Sequence, residues 1–290
     1  MKSLSIIKWV LTLFIFIVIV PVLKAQTALM ANDSLSDKNQ MSKPGVMQVL
    51  SNGVLIPGET KERIWYIAPL FDVFQYNTVE GFVFNPRVSF TRHLSDGKFY
   101  AIKPNLRYGF GAKKPYGKLS GTYYYNPDQL GSVEISGGTF VAQFDDQSTL
   151  TPFANSYSTL LAKENFLRIY ASDFMELNHR FSPMKNVLLS NRLHWSNRRS
   201  LNNLNRFDDE DYASNVPVND AVDTPFDQHQ AFYQQTEIRW QPILIYEYLR
   251  GKWVPTSKHP AIVLKYKSAY SNVFGSDLRY QNIARYGRKY

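Results

Sequence analysis

Long segments in which apolar and polar residues alternate are the feature that most constrains this chain. In residues 82–91, large apolar residues take one parity and polar residues take the other, with Pro86 as the interruption. Residues 100–111 repeat the arrangement after a Ser95-Asp96-Gly97 turn. A period of two is typical of a β-strand with two chemically different faces. Each segment keeps it for about 9–11 residues, the length of a membrane-crossing strand, whereas soluble strands average about five or six.

Further segments of the chain follow the same pattern. Turn residues separate several of them, such as Asn126-Pro127-Asp128. The pattern predicts additional strands within 119–125, 131–141, 187–196, 232–240, 261–270 and 278–283. Residues 154–163 predict a short helix, 206–227 an acidic surface loop, and 63–76 fit either a helix or a strand. The sequence therefore predicts an all-β, antiparallel fold.

Alternation alone is equally expected of a soluble β-sandwich, so the residues on the polar face of the strands have to distinguish a sandwich from a membrane barrel. Here the polar face carries charged residues. A membrane barrel turns its apolar face to lipid and its charged face to a wet interior. We therefore predict an antiparallel transmembrane β-barrel of about ten strands. The residues predicted to line its interior are Arg87, Lys103, Arg107, Arg192, His194 and Arg239. Aromatic residues that fit the two interfacial girdles are Tyr100, Phe110, Tyr123, Tyr124, Tyr125, Trp195 and Trp240.

The N-terminal segment predicts export. Lys2 and Lys8 precede an apolar stretch at 9–20, and Ala25-Gln26 offers a small residue for cleavage. This is the plan of a signal peptide. We expect a signal peptide at 1–25, a polar linker at 26–62, and an outer-membrane β-barrel domain at 63–290. The expected location is the cell outer membrane.

Composition and motifs argue against several other functions. The chain has no cysteine, and its net charge of +9 is spread among aromatic residues without a basic run, so no nucleic-acid partner is expected. The five histidines lack zinc-site spacing, and the acidic run at 208–211 lacks the spaced ligands of a calcium loop. A serine nucleophile elbow is missing as well, and the carboxylates are too dispersed to nominate a glycosidase pair. We predict no catalytic, cofactor-binding or metal-binding residues, and a protein that is not an enzyme.

Three remaining motifs receive structural interpretations. Gly109-Phe110-Gly111 and Gly137-Gly138 are not followed by the residues of a phosphate-binding loop. They are predicted to relieve crowding or to curve a strand. Glu80 follows a turn and is predicted to pair with an interior arginine.

Several separated segments carry a resemblance to a known family. They are Tyr76-Asn77-Thr78-Val79-Glu80-Gly81, Ser136-Gly137-Gly138, Thr159-Leu160-Leu161 with Asn165 and Tyr170, Arg198-Arg199-Ser200-Leu201-Asn202-Asn203, and Ser257-Lys258-His259-Pro260. In their order and spacing they resemble Bacteroidetes-type outer-membrane β-barrel proteins of unknown function. The resemblance implies that members usually carry a carboxypeptidase-like regulatory domain before the barrel, and no such domain is expected in residues 1–290. The resemblance implies an outer-membrane barrel without established enzymatic activity.

The function expected from these observations is transport, insertion or surface anchoring in the outer membrane. Its expected partners are outer-membrane lipid and the barrel-assembly machinery. The alternative is a secreted or periplasmic β-sandwich that binds a polymer or protein through exposed aromatics, and a hydrolase is a weaker third hypothesis. After Tyr280 the large residues are irregularly spaced and Gly287-Arg288-Lys289 looks turn-like. The barrel is therefore predicted to be incomplete, with further strands encoded downstream.

Overall fold

The computed structural model describes residues 50–60, 62–144, 151–204, 215, 227–242, 246–249, 252–255 and 260–288. In this part of the chain, one 13-stranded sheet is accompanied by a separate two-stranded hairpin. All paired strands run antiparallel. The all-β, antiparallel prediction is confirmed.

The strands differ widely in length, and the central ones are the longest. The strands are β1 (Val54–Pro57), β2 (Arg63–Ile67), β3 (Phe74–Asn77), β4 (Gly81–Phe84), β5 (Val88–His93), β6 (Phe99–Gly109), β7 (Lys114–Asn126), β8 (Gly131–Gln143), β9 (Ile169–Met184), β10 (Val187–Ser200), β11 (His229–Trp240), β12 (Tyr246–Leu249), β13 (Lys252–Pro255), β14 (Ala261–Ala269) and β15 (Tyr280–Arg288). From β6 to β11 they contain 11, 13, 13, 16, 14 and 12 residues. These lengths meet or exceed the roughly 9–11 residues of a membrane-crossing strand.

Neighbouring strands in the sheet are mostly neighbours in sequence, in the order β1-β2-β5-β6-β7-β8-β9-β10-β11-β14-β15. The hairpin of β3 and β4 joins beside β6 through the pairs Val83↔Gly109 and Phe84↔Tyr108. Among the described residues β1 and β15 are the outermost strands of this path, and the sheet is open. The separate hairpin consists of β12 and β13.

The two ends of the sheet carry different connections. The lower end has short links at 94–98, 127–130 and 185–186, and one long connection at 241–260 that contains the β12–β13 hairpin. The upper end has the short link 110–113, the loop 270–279 and the two longest connections, 144–168 and 201–228. The predicted acidic loop at 206–227 lies within one of these connections, and only Asn215 and Asp227 of it are described.

Several predicted elements need correction. Pro86 splits the first alternating segment into β4 and β5, since proline cannot donate a hydrogen bond to a neighbouring strand. β1 lies inside the segment that was predicted to be linker, and the main sheet has more strands than the ten expected. At the other end, β15 runs through Gly287 and pairs with β14, so the turn predicted there is wrong. The predicted signal peptide falls outside the described residues.

Residues paired directly across an antiparallel sheet point to the same side, so the register assigns each side chain to a face. One face, here the apolar face, carries a mid-strand band of exposed aliphatic residues and methionine: Ile102, Leu106, Leu119, Ile135, Met175, Leu177, Leu193 and Leu264. Leu106 and Met175 are 63% and 64% exposed. The other side is the polar face, where Arg107 and Ser196 are buried.

Two helices lie at the upper end: α1 (Leu70–Val73) and α2 (Pro152–Leu161). α2 confirms the predicted helix, although it starts two residues earlier. The Oγ1 atom of Thr151 caps it by accepting a hydrogen bond from the Ala154 backbone N–H at 3.2 Å. No helix in the described residues is both long and apolar enough to span a membrane.

Candidate functional site

A cluster of interacting side chains crosses four central strands on the polar face. It consists of Glu176, His194, Tyr233 and Lys267, from β9, β10, β11 and β14, and is called the polar-face cluster here. Glu176 Oε2 lies 2.9 Å from His194 Nδ1, and the His194 and Tyr233 rings stack with centroids 4.7 Å apart. Lys267 Nζ sits 4.1 Å from the centroid of the Tyr233 ring. The contacts thus place the acidic side chain of Glu176 and the basic side chains of His194 and Lys267 around the ring of Tyr233.

Neighbouring polar groups hold the carboxylate of this cluster. Asn178 Nδ2 donates to Glu176 Oε1 at 2.7 Å, and Arg192 Nε donates to Asn178 Oδ1 at 3.1 Å. Arg192 Nε is also 3.7 Å from Glu176 Oε1. A carboxylate oriented in this way can bind a cation or accept a hydrogen bond from the imidazole. The described residues contain no group of three metal-ligating side chains.

A second polar arrangement is buried at the upper end and is called the upper-end network, comprising Gln75, Asn77, Glu80 and Arg107. Glu80 is fully buried and Arg107 is 7% exposed. Arg107 Nε donates to Glu80 Oε1 at 2.8 Å, and its Nη2 forms an ion pair with Glu80 Oε2. Arg107 Nη1 donates to Gln75 Oε1 at 2.9 Å, and Asn77 Nδ2 donates to Glu80 Oε2 at 3.0 Å. The two buried charges thus face each other in bidentate geometry.

Local backbone geometry brings Glu80 to this position. Asn77 Oδ1 accepts hydrogen bonds from the backbone N–H groups of Val79 and Glu80, which fixes the turn between β3 and β4. A Cβ atom added at Gly109 would lie 2.8 Å from Glu80 Cβ, and one at Gly111 would lie 2.8 Å from the Glu80 carbonyl oxygen. Only glycine leaves room for so close an approach. The prediction that these glycines relieve crowding is confirmed.

Asparagines fasten the connections of the upper end around this network. Asn155 Oδ1, on α2, accepts from the backbone N–H groups of Phe166 and Leu167, both at 2.9 Å. Asn155 Nδ2 donates to Asn165 Oδ1 at 2.9 Å, and Asn165 Nδ2 donates to Thr78 Oγ1 at 2.9 Å. These bonds tie α2 and the start of β9 to the β3–β4 turn.

Two further contacts extend the fastening to the connection after β10. Thr78 Oγ1 donates to Asn203 Oδ1 at 2.7 Å. Asn215 Oδ1 accepts from the Ile169 backbone N–H at 2.8 Å, and its Nδ2 donates to the carbonyl oxygens of Ile169 and Leu201. A small apolar core of Val79, Leu167 and Ile169 lies among these bonds.

The structure brings together most of the segments that carry the family resemblance. Residues 76–81, 159–165 and 198–203 are far apart in sequence and meet at the upper end through the bonds of Thr78. Arg198 also lies over the ring of Tyr170, 5.4 Å from its centroid. Residues 257–259 lie outside the described part of the chain. These three segments therefore form one structural unit of the upper end, whereas Ser136-Gly137-Gly138 lies within β8.

All six residues predicted to line the interior lie on the polar face. They form separate groups. Arg192 and His194 adjoin Glu176, Arg107 belongs to the upper-end network, and Arg87 forms an ion pair with Asp72. Lys103 is exposed opposite Ser120, and Arg239 is paired with Leu188 and Val263. The predicted pairing of Glu80 with an arginine is confirmed, and that arginine is Arg107, one of the six residues predicted to line the interior.

Sequence reasoning missed Glu176 and the asparagines at 155 and 215. β9, which carries Glu176, was not predicted because Phe174 lies on its polar face while Asp173 and His179 lie on the other. Its alternation is therefore broken. The asparagines follow no period, and only the resemblance pointed to Asn165 and Asn203.

Fold and site together define an antiparallel β-sheet protein with an exposed apolar face, a hydrogen-bonded polar face and a fastened upper end. The sequence matches the family described as "Family of unknown function (DUF5686) C-terminal domain" over residues 47–286. The chain belongs to this family. No curated protein and no solved structure gives a significant match.

Proposed function

We propose that this chain forms the membrane-embedded sheet of an outer-membrane β-barrel protein, with its apolar face against lipid and its polar face toward a wet interior. The observation that carries the proposal is the exposed aliphatic band between two bands of aromatic residues. Exported outer-membrane proteins are built in this way, with an apolar belt flanked by aromatic girdles.

The lower aromatic band follows the apolar face near the short turns. Ring contacts connect Trp65 with Phe90 at 4.7 Å, Phe90 with Tyr100 at 6.2 Å, and Tyr125 with His179 at 6.1 Å. Tyr100 is paired with Tyr123 across β6 and β7. Trp240 is exposed at the same end of β11. Amphipathic rings in such a row suit the boundary between acyl chains and headgroups.

The upper band occupies the opposite ends of the strands. Tyr108 contacts Phe110 with centroids 4.9 Å apart, Phe110 contacts Phe82 at 5.8 Å, and Phe82 contacts Phe74 at 5.9 Å. Farther along the sheet, Trp195 and Phe232 are paired across β10 and β11. Of the seven aromatics predicted for the girdles, Tyr124 alone lies on the polar face, where it stacks on Phe99.

Charged side chains on the polar face support a wet interior. Lys103 is exposed there, and the Arg192 side chain is 42% exposed. A charged side chain that faces lipid near the middle of a bilayer costs about 2–4 kcal/mol, whereas one that faces a water-filled interior keeps its hydration.

The connections support an orientation. Outer-membrane barrels have short turns on the periplasmic side and longer loops outside. We therefore place the upper end, with its long connections, at the cell surface. The resemblance to Bacteroidetes-type outer-membrane proteins supports the same location, and with it transport, insertion or surface anchoring as the role.

The sandwich alternative has less support. A sandwich buries apolar side chains between two facing sheets. The long strands described here lie in one sheet, and the mid-strand aliphatic residues of that sheet are exposed. An aqueous location would leave the whole band in contact with water.

Single-cysteine labelling tests the proposal, because the chain contains no cysteine of its own. Leu119→Cys reports on the apolar face and Lys103→Cys on the polar face, at mid-strand positions of neighbouring strands. Each variant is labelled with a small environment-sensitive fluorophore and reconstituted into phosphatidylcholine vesicles. We expect lipids with a mid-chain nitroxide to quench the Leu119 site strongly and aqueous iodide to quench the Lys103 site. Equal iodide quenching at both sites would overturn the proposal.

A further inference from the structure

Helix α2 has its polar side turned inward and its apolar side turned outward. The residues at Asn155, Ser156 and Thr159 are buried, and they face the protein. Phe153, Tyr157, Leu160 and Leu161, here the apolar stripe of α2, are all exposed. Tyr157 and Leu161 are 64% and 68% exposed. A surface helix in water has the opposite arrangement.

Hydrogen bonds hold the helix in this orientation. Ser156 Oγ accepts from the Tyr76 backbone N–H at 2.8 Å, so α2 covers an edge group of β3. Asn155 Oδ1 accepts from the backbone N–H groups of Phe166 and Leu167, in the chain that follows the helix. Turning the stripe inward would break these bonds. The outward position of the apolar stripe is therefore built into the fold.

The apolar stripe continues the apolar face of the sheet. Phe153 contacts Phe71 on α1, with ring centroids 5.1 Å apart. Phe71 is close in sequence to Phe74, which contacts Phe82 in the upper aromatic band. The stripe therefore extends the surface that the proposed function assigns to the membrane boundary.

We propose that α2 is an interfacial anchor that lies along the lipid boundary at the cell-surface side, with its apolar stripe among the upper acyl carbons. Its ten residues span about 15 Å, which is half of the roughly 30 Å apolar core, so it cannot cross the bilayer. It contains no charged residue, and its polar side is bound by the protein. Its exposed side, with Phe153, Tyr157, Leu160 and Leu161, carries the aromatic and aliphatic residues found on the apolar side of interfacial helices. This inference rests on the proposed function.

Depth-dependent quenching tests the anchor in the full chain. Leu160→Cys carries the fluorophore on the apolar stripe, Leu119→Cys serves as the deep reference, and Asp128→Cys in the exposed β7–β8 turn serves as the aqueous reference. The vesicles are phosphatidylcholine with nitroxide on the headgroup or at mid-chain. Since interfacial helices lie only about 5–10 Å deep, headgroup nitroxide should quench Leu160 about twofold more than mid-chain nitroxide does. Leu119 should show the reverse order.

The outcomes separate this inference from the proposed function. Lipid quenching at Leu119 together with purely iodide quenching at Leu160 would overturn the anchor and leave the membrane sheet standing. Cross-linked dimers of Leu160→Cys without lipid quenching would assign the apolar stripe to a second copy and would also overturn the anchor. Loss of lipid quenching at both sites would overturn the two proposals together.

Discussion

Around Glu80, polar groups are taken out of water, whereas on the central strands apolar groups are left at the surface. Soluble proteins bury apolar groups and expose charged ones, and both regions do the opposite. The two regions differ in whether the protein itself supplies partners for these groups. Glu80 and Arg107 are charged and buried, and each finds its partner within the protein. Leu106 and Met175 are exposed, and no protein group of the described chain covers them fully.

The difference shows which region depends on its surroundings. A buried ion pair with its hydrogen bonds made needs no external partner, so the upper-end network should persist in any solvent that keeps the fold. An exposed apolar band is stable only if something other than water meets it. The upper-end network is therefore stable without an external partner. The central sheet, in contrast, depends on the bilayer that we propose.

The largest expected effect comes from removing one charge of the upper-end network. Arg107→Met leaves Glu80 fully buried without its cation and Gln75 Oε1 without its donor. Breaking a buried pair on one side costs about 3–5 kcal/mol. The free energy of unfolding, measured by urea titration of the vesicle-reconstituted protein, should fall by that amount.

Arg87→Met is the matched control, because the Arg87–Asp72 pair is about 40% exposed on each side. An exposed pair contributes at most about 1 kcal/mol. Equal losses for the two variants would show that burial does not distinguish the pairs.

A smaller effect is expected on the apolar face. Leu119→Arg places a charge in the mid-strand aliphatic band, which should cost about 2–4 kcal/mol near the middle of a bilayer. Thr122, three residues along β7, lies on the polar face, where its Oγ1 donates to Glu134 Oε2 at 2.9 Å. Thr122→Arg should cost little, because the arginine can pair with the same carboxylate. Folding titrations in lipid vesicles measure both. A similar cost for both substitutions would refute the assignment of the faces to lipid and interior.

The smallest effect is expected at the asparagine that fastens α2 to the chain that follows it. Asn155→Ala leaves the backbone N–H groups of Phe166 and Leu167 without their acceptor. An orphaned buried donor costs about 1–3 kcal/mol, and the loss should be local. Hydrogen exchange of residues 162–169 should become faster, while the central strands stay protected. Ser158→Ala on the same helix is the control, and unchanged exchange in Asn155→Ala would show that the amide does not fasten this segment.

Much of the fold was predictable because strand geometry is local. The alternation in 100–111 and 187–196 predicted β6 and β10 and the faces to which Arg107, Arg192 and His194 belong. β9 escaped prediction, although it is the longest strand, because Phe174 and Asp173 sit on the faces opposite to their chemistry. The full length of β15 was not predicted either. Its alternation is weak beyond residue 283, and the strand forms there because it pairs with β14.

The candidate site was predictable only in part. Glu80 was expected to meet an arginine, yet the choice of Arg107 depends on how the β3–β4 hairpin joins β6. Glu176 meets His194 because the two are directly paired between β9 and β10. Such contacts depend on which strands are neighbours and on their register. The alternation of residues along one strand specifies neither of these.

The sequence by itself determined the antiparallel β character and the chemistry of the two faces, because successive side chains of a strand must point to opposite sides. Tertiary structure alone decided which distant residues meet. Thr78 and Asn203, separated by 125 positions, are joined only when the β3–β4 turn reaches the connection that follows β10. The outward position of the apolar stripe of α2 was decided in the same way. Its helical pattern is local, but hydrogen bonds to β3 and to the following chain fix the side that faces out.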